Sequence, residues 1–404
     1  MNKILIKRSN QYLKLLCQRI FDRSVGSAGN RQATDYVAGI FKEYGWQTES
    51  PEFDVMDWQQ NGAELICNDT PFEVKPSPYS KGCNVEGRLV TAGTLQELEK
   101  TDATGAILLV HGEIVTEQLM PKNFVFYNPE NHKHLVYLLE NSGAQAIISA
   151  TGRNASMAGG VYPFPFIEDG DFDIPNVFTT EEEGTRLLAC AGQRVKLTSN
   201  AKRVPAKACN AIGKIGESTN KKIVITAHID AKKGSPGAID NGTGITVLLL
   251  LAELLKEYNG SYQVELVAFN GEDHYAVPGQ MNYINSKKGD FSDIALNINI
   301  DGAAYREGPS AFSFYQLPEA TKTKMQGIIK NTPNIVEGTP WVQGDHSIFV
   351  QFGCPAMAVS SEWFIDNIET QTITHTEKDN LSIVNAEKVV QIAESITELI
   401  NQLQ

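Results

Sequence analysis

The spacing of apolar residues changes along the chain and is most regular in its second half. From about residue 212, short apolar runs rich in β-branched residues alternate with segments whose apolar residues recur at helical spacing. The runs predict strands at 222–227, 262–269, 294–300, 311–315 and 356–360, and the other segments predict helices at about 245–258, 278–286, 318–330, 345–352 and 386–402. This alternation predicts an α/β fold in which helices sandwich a mixed, mostly parallel sheet.

The first 77 residues predict elements that belong to the same domain. Residues 1–45 have the pattern of two helices, the second with Asn30 as a candidate N-cap and Gly45 as a stop. The alternation at 46–55, and the apolar runs at 63–67 and 72–74, predict strands at an antiparallel edge of a sheet.

Between these two parts the pattern is looser, with short strands and frequent turns. Strands are expected at 106–110, 146–150 and 174–178, and helices at 134–141 and 181–190. The segment 159–173 is aromatic, Pro-containing and acidic, which is typical of a loop, and its residues 162–166 are a candidate lid. We therefore predict a discontinuous domain, 1–77 plus 206–404, and an inserted small β-rich domain at 78–205.

Composition and charge narrow the function classes. The chain has 404 residues, of which 42% are hydrophobic and 21% charged, as in globular proteins. The net charge of −13 argues against a nucleic-acid or anionic-membrane binder. The six cysteines include no C-x-x-C pair, which argues against a zinc-thiolate or redox site.

The chain shows no targeting pattern. Charges interrupt the first 23 residues, so no secretion signal is expected there, and no apolar run approaches the ~20 residues that a membrane helix needs. We expect a cytoplasmic protein without a membrane partner. Nothing in the sequence indicates an oligomeric state.

Metal-ligating residue types follow three of the predicted strands. His228 and Asp230 end the strand at 222–227, Glu272 and Asp273 follow the next, and Asp301 follows the third. Asp240 and His375 come from loops, so that two imidazoles and several carboxylates are available. Because ligands bind outside the carboxyl ends of strands in open α/β sheets, we expect these side chains to converge. Such a donor set suits a pair of zinc ions, which one carboxylate can bridge.

A hydrolytic site also needs a base, and the remaining histidines need an explanation. In the adjacent pair Glu272 and Asp273, one carboxylate can bind metal while the other takes a proton from water. Four other histidines are interpreted as structural: His111, His132, His134 and His274. His346 could either line the site or start a helix.

The motifs together resemble those of the M28 zinc peptidases, the co-catalytic aminopeptidase and glutamate-carboxypeptidase family. They are AHIDA (227–231), PGAIDNGTG (236–244), NGED (270–273), NINIDGAA (297–304), GDHSIFVQFGCPA (344–356) and HTEKDN (375–380). The resemblance covers residues 205–404 and extends to the helix at 26–45. The insert at 78–205 resembles a protease-associated domain.

The resemblance implies a role for each matching residue. Asp240 would bridge two ions, His228 and Asp301 would complete one site, and Asp273 and His375 the other. Glu272 would be general base and then acid. Asp230 would orient the imidazole of His228 by a hydrogen bond. The peptide after Asp240 would be cis.

Two positions depart from the family pattern. Many members have Glu-Glu where this chain has Glu272 and Asp273, so a shorter side chain would hold the second ion. Thr374 stands before the last His, where many members have a Tyr that stabilises the oxyanion. The sequence offers no evident replacement for that donor.

The resulting functional expectation is a zinc-dependent aminopeptidase that acts on peptides with a free N-terminus. A glutamate-carboxypeptidase-like enzyme, which would need a basic pocket such as Arg306 could supply, and a one-zinc glutaminyl-cyclase-like enzyme are alternatives on the same fold. A non-catalytic binding protein on a peptidase scaffold is a third class, although every ligand position keeps a ligating residue.

Overall fold

The computed structural model describes residues 3–20, 22–153, 162–217 and 221–403. The chain forms two compact units: one comprises Met1–Val55 and Lys207–Gln404, and the other Met56–Ala206. We call them the first and the second unit.

Strands and helices alternate through most of the chain. The strands are β1 (Gln47–Glu49), β2 (Glu52–Cys67), β3 (Thr70–Phe72), β4 (Lys75–Pro76), β5 (Cys83–Ala92), β6 (Ile107–Val110), β7 (Ala146–Thr151), β8 (Asn176–Thr180), β9 (Arg194–Cys209), β10 (Ala211–Ile215), β11 (Lys222–His228), β12 (Gln263–Phe269), β13 (Ile294–Ile300), β14 (Ser310–Tyr315), β15 (Ile335–Glu337) and β16 (Ala356–Ser361). The helices are α1 (Lys3–Lys14), α2 (Ala28–Glu43), α3 (Leu95–Lys100), α4 (Glu130–Glu140), α5 (Glu181–Leu188), α6 (Thr243–Leu254), α7 (Pro278–Ser286), α8 (Glu319–Asn331), α9 (His346–Gln351), α10 (Glu362–Asp366) and α11 (Ala386–Gln402).

The first unit is built on an eight-stranded mixed sheet with the order β1-β10-β12-β11-β13-β16-β14-β15. Its four central strands, β12, β11, β13 and β16, are parallel. His228 is in register with Phe269, and Thr226 with Asn299. The carboxyl ends of β11, β12 and β13 therefore reach the same edge of the sheet, and the residues that follow them start side by side.

Helices cover both faces of this sheet. On one face, Ile223, Ile225 and Ala227 of β11 belong to a core shared with helices α1, α2, α6, α8 and α11. On the other face, the ring of Phe269 meets Tyr283 of α7 edge to face. Helix α6 is apolar on all sides and has ten consecutive buried residues, 243–252, as expected of a helix enclosed by protein. This α/β sandwich confirms the predicted fold class.

The second unit has its own eight-stranded sheet with the order β3-β2-β9-β5-β6-β7-β8-β4. Strands β5, β6, β7 and β8 are parallel, whereas the pairs β2–β3, β5–β9 and β4–β8 are antiparallel. The unit also contains the short helices α3, α4 and α5.

The unit boundaries differ from the predicted ones at one end. Residues 56–77, which we grouped with the first domain, lie in the second unit, because β2 and β3 pair with each other and extend its sheet through β9. Strand β9 itself escaped prediction, since its second half is polar and Pro-containing. The other boundary of the second unit lies at Ala206.

One local prediction is wrong, and another stays untested. Asn30 is not the N-cap of α2: the Ser27 side chain accepts the hydrogen bond from the Asn30 N–H, and α2 begins at Ala28. The segment 159–173 lies partly outside the described residues; within it, the Tyr162 hydroxyl contacts Glu182. The lid hypothesis stays a prediction.

Within the described ranges, no helix has both the length and the apolarity needed to cross a membrane.

Candidate metal centre

The carboxyl edge of the first unit's sheet gathers all seven predicted site residues. His228 is the last residue of β11, Glu272 and Asp273 lie in the turn after β12, and Asp301 directly follows β13. Asp240 lies in the turn Ala238–Gly242 before α6, and His375 in the loop before α11. Parallel strands in register thus deliver ligands from sequence positions more than 70 residues apart.

Asp240 lies between the two imidazoles. Its Oδ1 is 3.1 Å from Nε2 of His228, and its Oδ2 is 3.1 Å from Nε2 of His375. Nε2 of His228 is also 3.5 Å from Asp301 Oδ1, and Nε2 of His375 is 3.1 Å from Asp273 Oδ1. Each imidazole therefore faces one oxygen of Asp240 and one oxygen of a second aspartate.

These contacts define two overlapping groups of potential ligands. In each group one atom per residue lies within 4.8 Å of the others: His228, Asp240 and Asp301 in one, and Asp240, Asp273 and His375 in the other. They are the two sets that the family resemblance implies. A third group, His228, Glu272 and Asp273, shares residues with both.

The donor set fits a cation. Two ligands bound tetrahedrally at ~2.1 Å from zinc lie roughly 3.4 Å apart, and the observed N–O separations of 3.1–3.5 Å are close to this value. His228 is 1% exposed, yet neither ring nitrogen makes a hydrogen bond of acceptable geometry. An imidazole nitrogen surrounded by carboxylate oxygens requires either a proton or a metal ion between them.

The charges of the centre influence each other strongly. Burial alone would lower the pKa of His228, but the carboxylates, Asp301 above all, raise it well above its usual value. Burial and the carboxylates also oppose each other at His375. There Asp273 is the main neighbouring carboxylate, and the net effect is a raised pKa. Burial disfavours ionised Asp240, yet contacts with both imidazoles lower its pKa. The site thus stabilises positive charge next to ionised Asp240.

Asp230 makes contacts that differ from the predicted one. Its Oδ1 is 3.7 Å from Nδ1 of His228, which is beyond a hydrogen bond. Instead, it accepts hydrogen bonds from the backbone N–H groups of Gly271 (2.8 Å), Glu272 (3.3 Å) and Asp273 (2.9 Å). Asp230 therefore fixes the turn that carries the predicted base and one predicted ligand.

Glu272 and Asp273 differ in accessibility. The Glu272 side chain is 28% exposed, whereas that of Asp273 is 3% exposed and accepts a hydrogen bond from the Lys232 N–H. Burial, followed by repulsion from Asp301 and Asp273, raises the pKa of Glu272 well above its usual value; a bound cation would oppose this shift. The shorter Asp273 still reaches His375.

The turn that carries Asp240 is fixed from both sides. Buried Asp379 accepts hydrogen bonds from the N–H groups of Ile239 (2.7 Å) and Asp240 (3.1 Å). Asn241, whose peptide bond with Asp240 is cis as the resemblance implies, donates to Ile300 O and accepts from Gly244 N. Asp379 stood inside the HTEKDN motif, but its role was not predicted.

The remaining candidates have structural contacts. His274 Nδ1 accepts from the Ala276 N–H. His346 is the first residue of α9; its Nε2 is 3.0 Å from Trp341 O and its ring packs against Trp341 and Tyr315.

Arg306 bears on the carboxypeptidase alternative, and Thr374 bears on how the oxyanion is stabilised. Arg306 is more than half exposed, with its Nε 3.6 Å from Glu307, and so is not a preformed carboxylate pocket. The Thr374 hydroxyl accepts a hydrogen bond from Gln371 Nε2, and its N–H donates to Gln371 Oε1. Both polar groups of the Gln371 side chain therefore contact Thr374.

The similarity of this chain to known proteins agrees with a metal centre of the peptidase type. Residues 210–400 match the peptidase family M28. The "Probable lipoprotein aminopeptidase LpqL" of Mycobacterium tuberculosis is 26% identical over 304 residues, which cover 72% of this chain and only 57% of that protein.

Two solved structures share the fold over nearly the whole chain. An aminopeptidase from Aneurinibacillus sp. strain AM-1 has a TM-score of 0.75 with 21% identity, covering 98% of this chain and 93% of that one. BSAP, a zinc aminopeptidase from Bacillus subtilis, has a TM-score of 0.72 with 18% identity, covering 98% and 94%.

The fold and the site define an α/β protein with a paired ligand centre at the carboxyl edge of its sheet. The part of the chain that carries this centre, residues 210–400, matches peptidase family M28.

Proposed function

We propose that the protein is an aminopeptidase that works with two divalent cations, in the first place zinc. The observation that carries the proposal is Asp240, with one oxygen 3.1 Å from each of two imidazoles. The relatives named as aminopeptidases, one of them as a zinc enzyme, support this reading.

The proposed ligand assignment follows the two groups of donors. His228 and Asp301 would hold one ion, Asp273 and His375 the other, and Asp240 would bridge them. When bound, the cations would supply Lewis acidity that polarises water and the carbonyl of the scissile peptide bond. The excess of carboxylates at the centre would attract the free α-amine of a peptide substrate.

Glu272 is proposed to move the proton. It is the accessible member of its carboxylate pair, and its Oε2 is 4.0 Å from Nε2 of His228. As base, it takes a proton from the attacking water while the water oxygen bonds to the carbonyl carbon. It then gives this proton to the amine nitrogen as the C–N bond breaks. Asp230 holds Glu272 in place through the backbone of the turn 271–273.

Metal analysis combined with a substrate panel tests the proposal. The purified protein, reconstituted with Zn²⁺, Co²⁺ or Mn²⁺ after chelation, is expected to bind two ions per chain and to release N-terminal residues from aminoacyl chromophores. One ion per chain with cyclisation of N-terminal glutamine would favour the glutaminyl-cyclase alternative. Cleavage restricted to C-terminal glutamate would favour the carboxypeptidase, and failure to bind divalent metal would favour a binding protein.

The base is tested by Glu272→Gln. This substitution keeps the size of the side chain but removes the proton acceptor, so kcat should fall by ~10²- to 10⁴-fold with unchanged metal content. The control is Glu369→Gln, at an exposed position outside the candidate centre, which should leave kcat as in the wild type. Undiminished turnover of Glu272→Gln would refute the assignment.

A further inference from the structure

Arg23, in the segment before α2, is a buried cation that contacts backbone carbonyls. It is 3% exposed. Its guanidinium donates hydrogen bonds to the carbonyl oxygens of Leu16 (2.6 Å), Ile229 (3.0 Å), Pro236 (3.0 Å) and Gly237 (2.8 Å). All three guanidinium nitrogens therefore have acceptors. A buried charge that satisfies main-chain groups in this way fixes their positions.

Three of these four carbonyls belong to the loop that joins two proposed ligands. Ile229 directly follows His228, and Gly237 precedes Asp240 by three residues. The approach at Gly237 is close: this residue has φ +56°, and a Cβ atom there would lie 2.7 Å from Arg23 Nη2. Arg23 thus closes the loop 229–237 by holding both of its ends.

Helix α2, which follows the segment of Arg23, reaches the turn of the proposed base through Asn30. The carboxamides of Asn30 and Asn270 form two reciprocal hydrogen bonds of 2.8 and 2.9 Å. Asn270 directly precedes the turn 271–273. Asn30 Nδ2 also donates to Arg23 O at 3.0 Å, which connects the two contacts. Both Asn30 and Asn270 are fully buried.

We propose that Arg23 and Asn30 form a brace that positions the metal centre from outside the M28 match at 210–400. Arg23 sets the spacing between His228 and Asp240, and Asn30 sets the turn of Glu272 and Asp273. The inference rests on the proposed two-metal function. Both are positioning residues, since they act on the centre through the backbone of its loops.

The geometry requires a guanidinium rather than any cation. A planar fork can serve carbonyls that lie in different directions, whereas a lysine ammonium is a compact charge on a flexible stem. Arg23→Lys should therefore keep the charge but loosen the loop, and Arg23→Met should remove both the charge and the hydrogen bonds. Loss of a group that supports metal ligands typically weakens metal binding by 10- to 100-fold.

The experiment measures divalent-metal affinity of the full chain rather than turnover alone. Apo-protein is titrated with Co²⁺, which reports ligand geometry in its visible spectrum, and with Zn²⁺ in competition with a chelator. We expect Arg23→Lys to bind metal roughly 10-fold more weakly with an altered Co²⁺ spectrum, and Arg23→Met up to 100-fold more weakly. Arg19→Lys and Arg19→Met, at an exposed arginine four residues away, are matched controls and should bind as the wild type.

A second variant keeps the test decisive if Arg23→Met does not fold. Asn30→Asp retains the acceptor for Asn270 but loses the donor, and should change the spectrum and affinity of the ion held by Asp273. Variants with lower thermal stability but unchanged metal affinity and spectrum would overturn the brace. If the wild type itself fails to bind two ions, the proposed function fails instead, so the two outcomes are distinguishable.

Discussion

Asp240 is the residue on which the proposed pairing of two ions depends. It lies on a turn whose backbone is fixed by Asp379, and its side chain contributes to both ligand groups. Asp301 and Asp273, in contrast, each belong to only one of the two groups that contain Asp240. Substitutions at these three positions should therefore differ in the number of ions lost.

We expect Asp240→Asn to lose both ions and Asp301→Asn or Asp273→Asn to lose one. The amide has the shape of the carboxylate but lacks its negative charge, so it is a weaker ligand for a divalent cation than the Asp oxygen that zinc sites use. Metal content after dialysis, measured by atomic emission, checks the prediction. Equal losses in all three variants would contradict the bridging role.

The buried residue His346 leads to a prediction about how folding stability depends on pH. Burial lowers the pKa of His346 to about 4, and the contact of its Nε2 with Trp341 O only partly offsets this. An unfolded histidine has a pKa of ~6.5. The unfolded chain therefore binds more protons between pH 6.5 and 4, and the stabilisation present above pH 6.5 is lost as the pH falls.

A comparison of His346→Gln with the wild type measures this effect. Between pH 6.5 and 5.5 the wild type should lose about 1 kcal/mol of folding free energy more than the variant. Denaturant unfolding with a chelator in both samples removes the contribution of metal binding. Parallel pH profiles of the two proteins would show that His346 does not titrate in this way.

At the scale of elements, α6 gives the candidate centre its rigid base. The helix begins at Thr243, three residues after Asp240, and its first ten residues are buried. Its packing against the sheet and helices α1, α2 and α11 leaves the turn Ala238–Gly242 little freedom. A cavity within α6 should therefore affect stability far more than an equal deletion at the surface.

Ile245→Ala tests this with a matched partner. Ile245 is 1% exposed and Ile4, in α1, is 67% exposed. Truncation of a buried isoleucine costs 2–5 kcal/mol as a central range, so we expect ~3 kcal/mol for Ile245→Ala and less than ~0.5 kcal/mol for Ile4→Ala. Chemical denaturation of both variants provides the values. A similar loss in both would mean that α6 is not part of the cooperative core.

The elements that carry the site could be predicted because two independent sequence patterns coincide, namely an apolar run and a ligand-type residue directly after it. Strands β11, β12 and β13 are rich in apolar residues, and each is followed by a ligand-type residue, as at Asp301. Strand β9 has no such signal, since its polar second half resembles a loop. The cap of α2 was misassigned because Ser27 and Asn30 both have capping side chains, and only the fold shows that Asn30 pairs with Asn270.

Single contacts were less predictable than ligand identity. The family resemblance implies a hydrogen bond between Asp230 and the imidazole of His228, but the Asp230 oxygens accept from the N–H groups of 271–273. Arg23 lies more than 200 residues before the carbonyls it holds in the loop 229–237. Its partners are backbone carbonyl oxygens, which every residue type carries, so the sequence does not identify them.

At the scale of the whole molecule, metal binding should contribute to the stability of the first unit. A ligand that binds only the folded state at 1,000 times its Kd stabilises it by ~4.1 kcal/mol. For a unit of about 250 residues this corresponds to a fall in Tm of roughly 10 °C on chelation. Calorimetry of the wild type with and without EDTA checks this value. For Asp240→Asn, the fall in Tm on addition of EDTA should be much smaller. A fall equal to that of the wild type would mean that the stabilising ion binds elsewhere.

The second unit has a separate sheet and separate apolar clusters. Its interpretation as a protease-associated domain stays a prediction, as does its effect on substrate choice.

The insertion of the second unit has a consequence for biosynthesis. Residues 56–206 are complete when the ribosome has made only the first 55 residues of the other unit. The remaining ~200 residues take roughly 10–40 s at 5–20 residues per second. During that interval the apolar faces of α1 and α2 have no sheet to cover, so nascent chains should recruit chaperones at this stage.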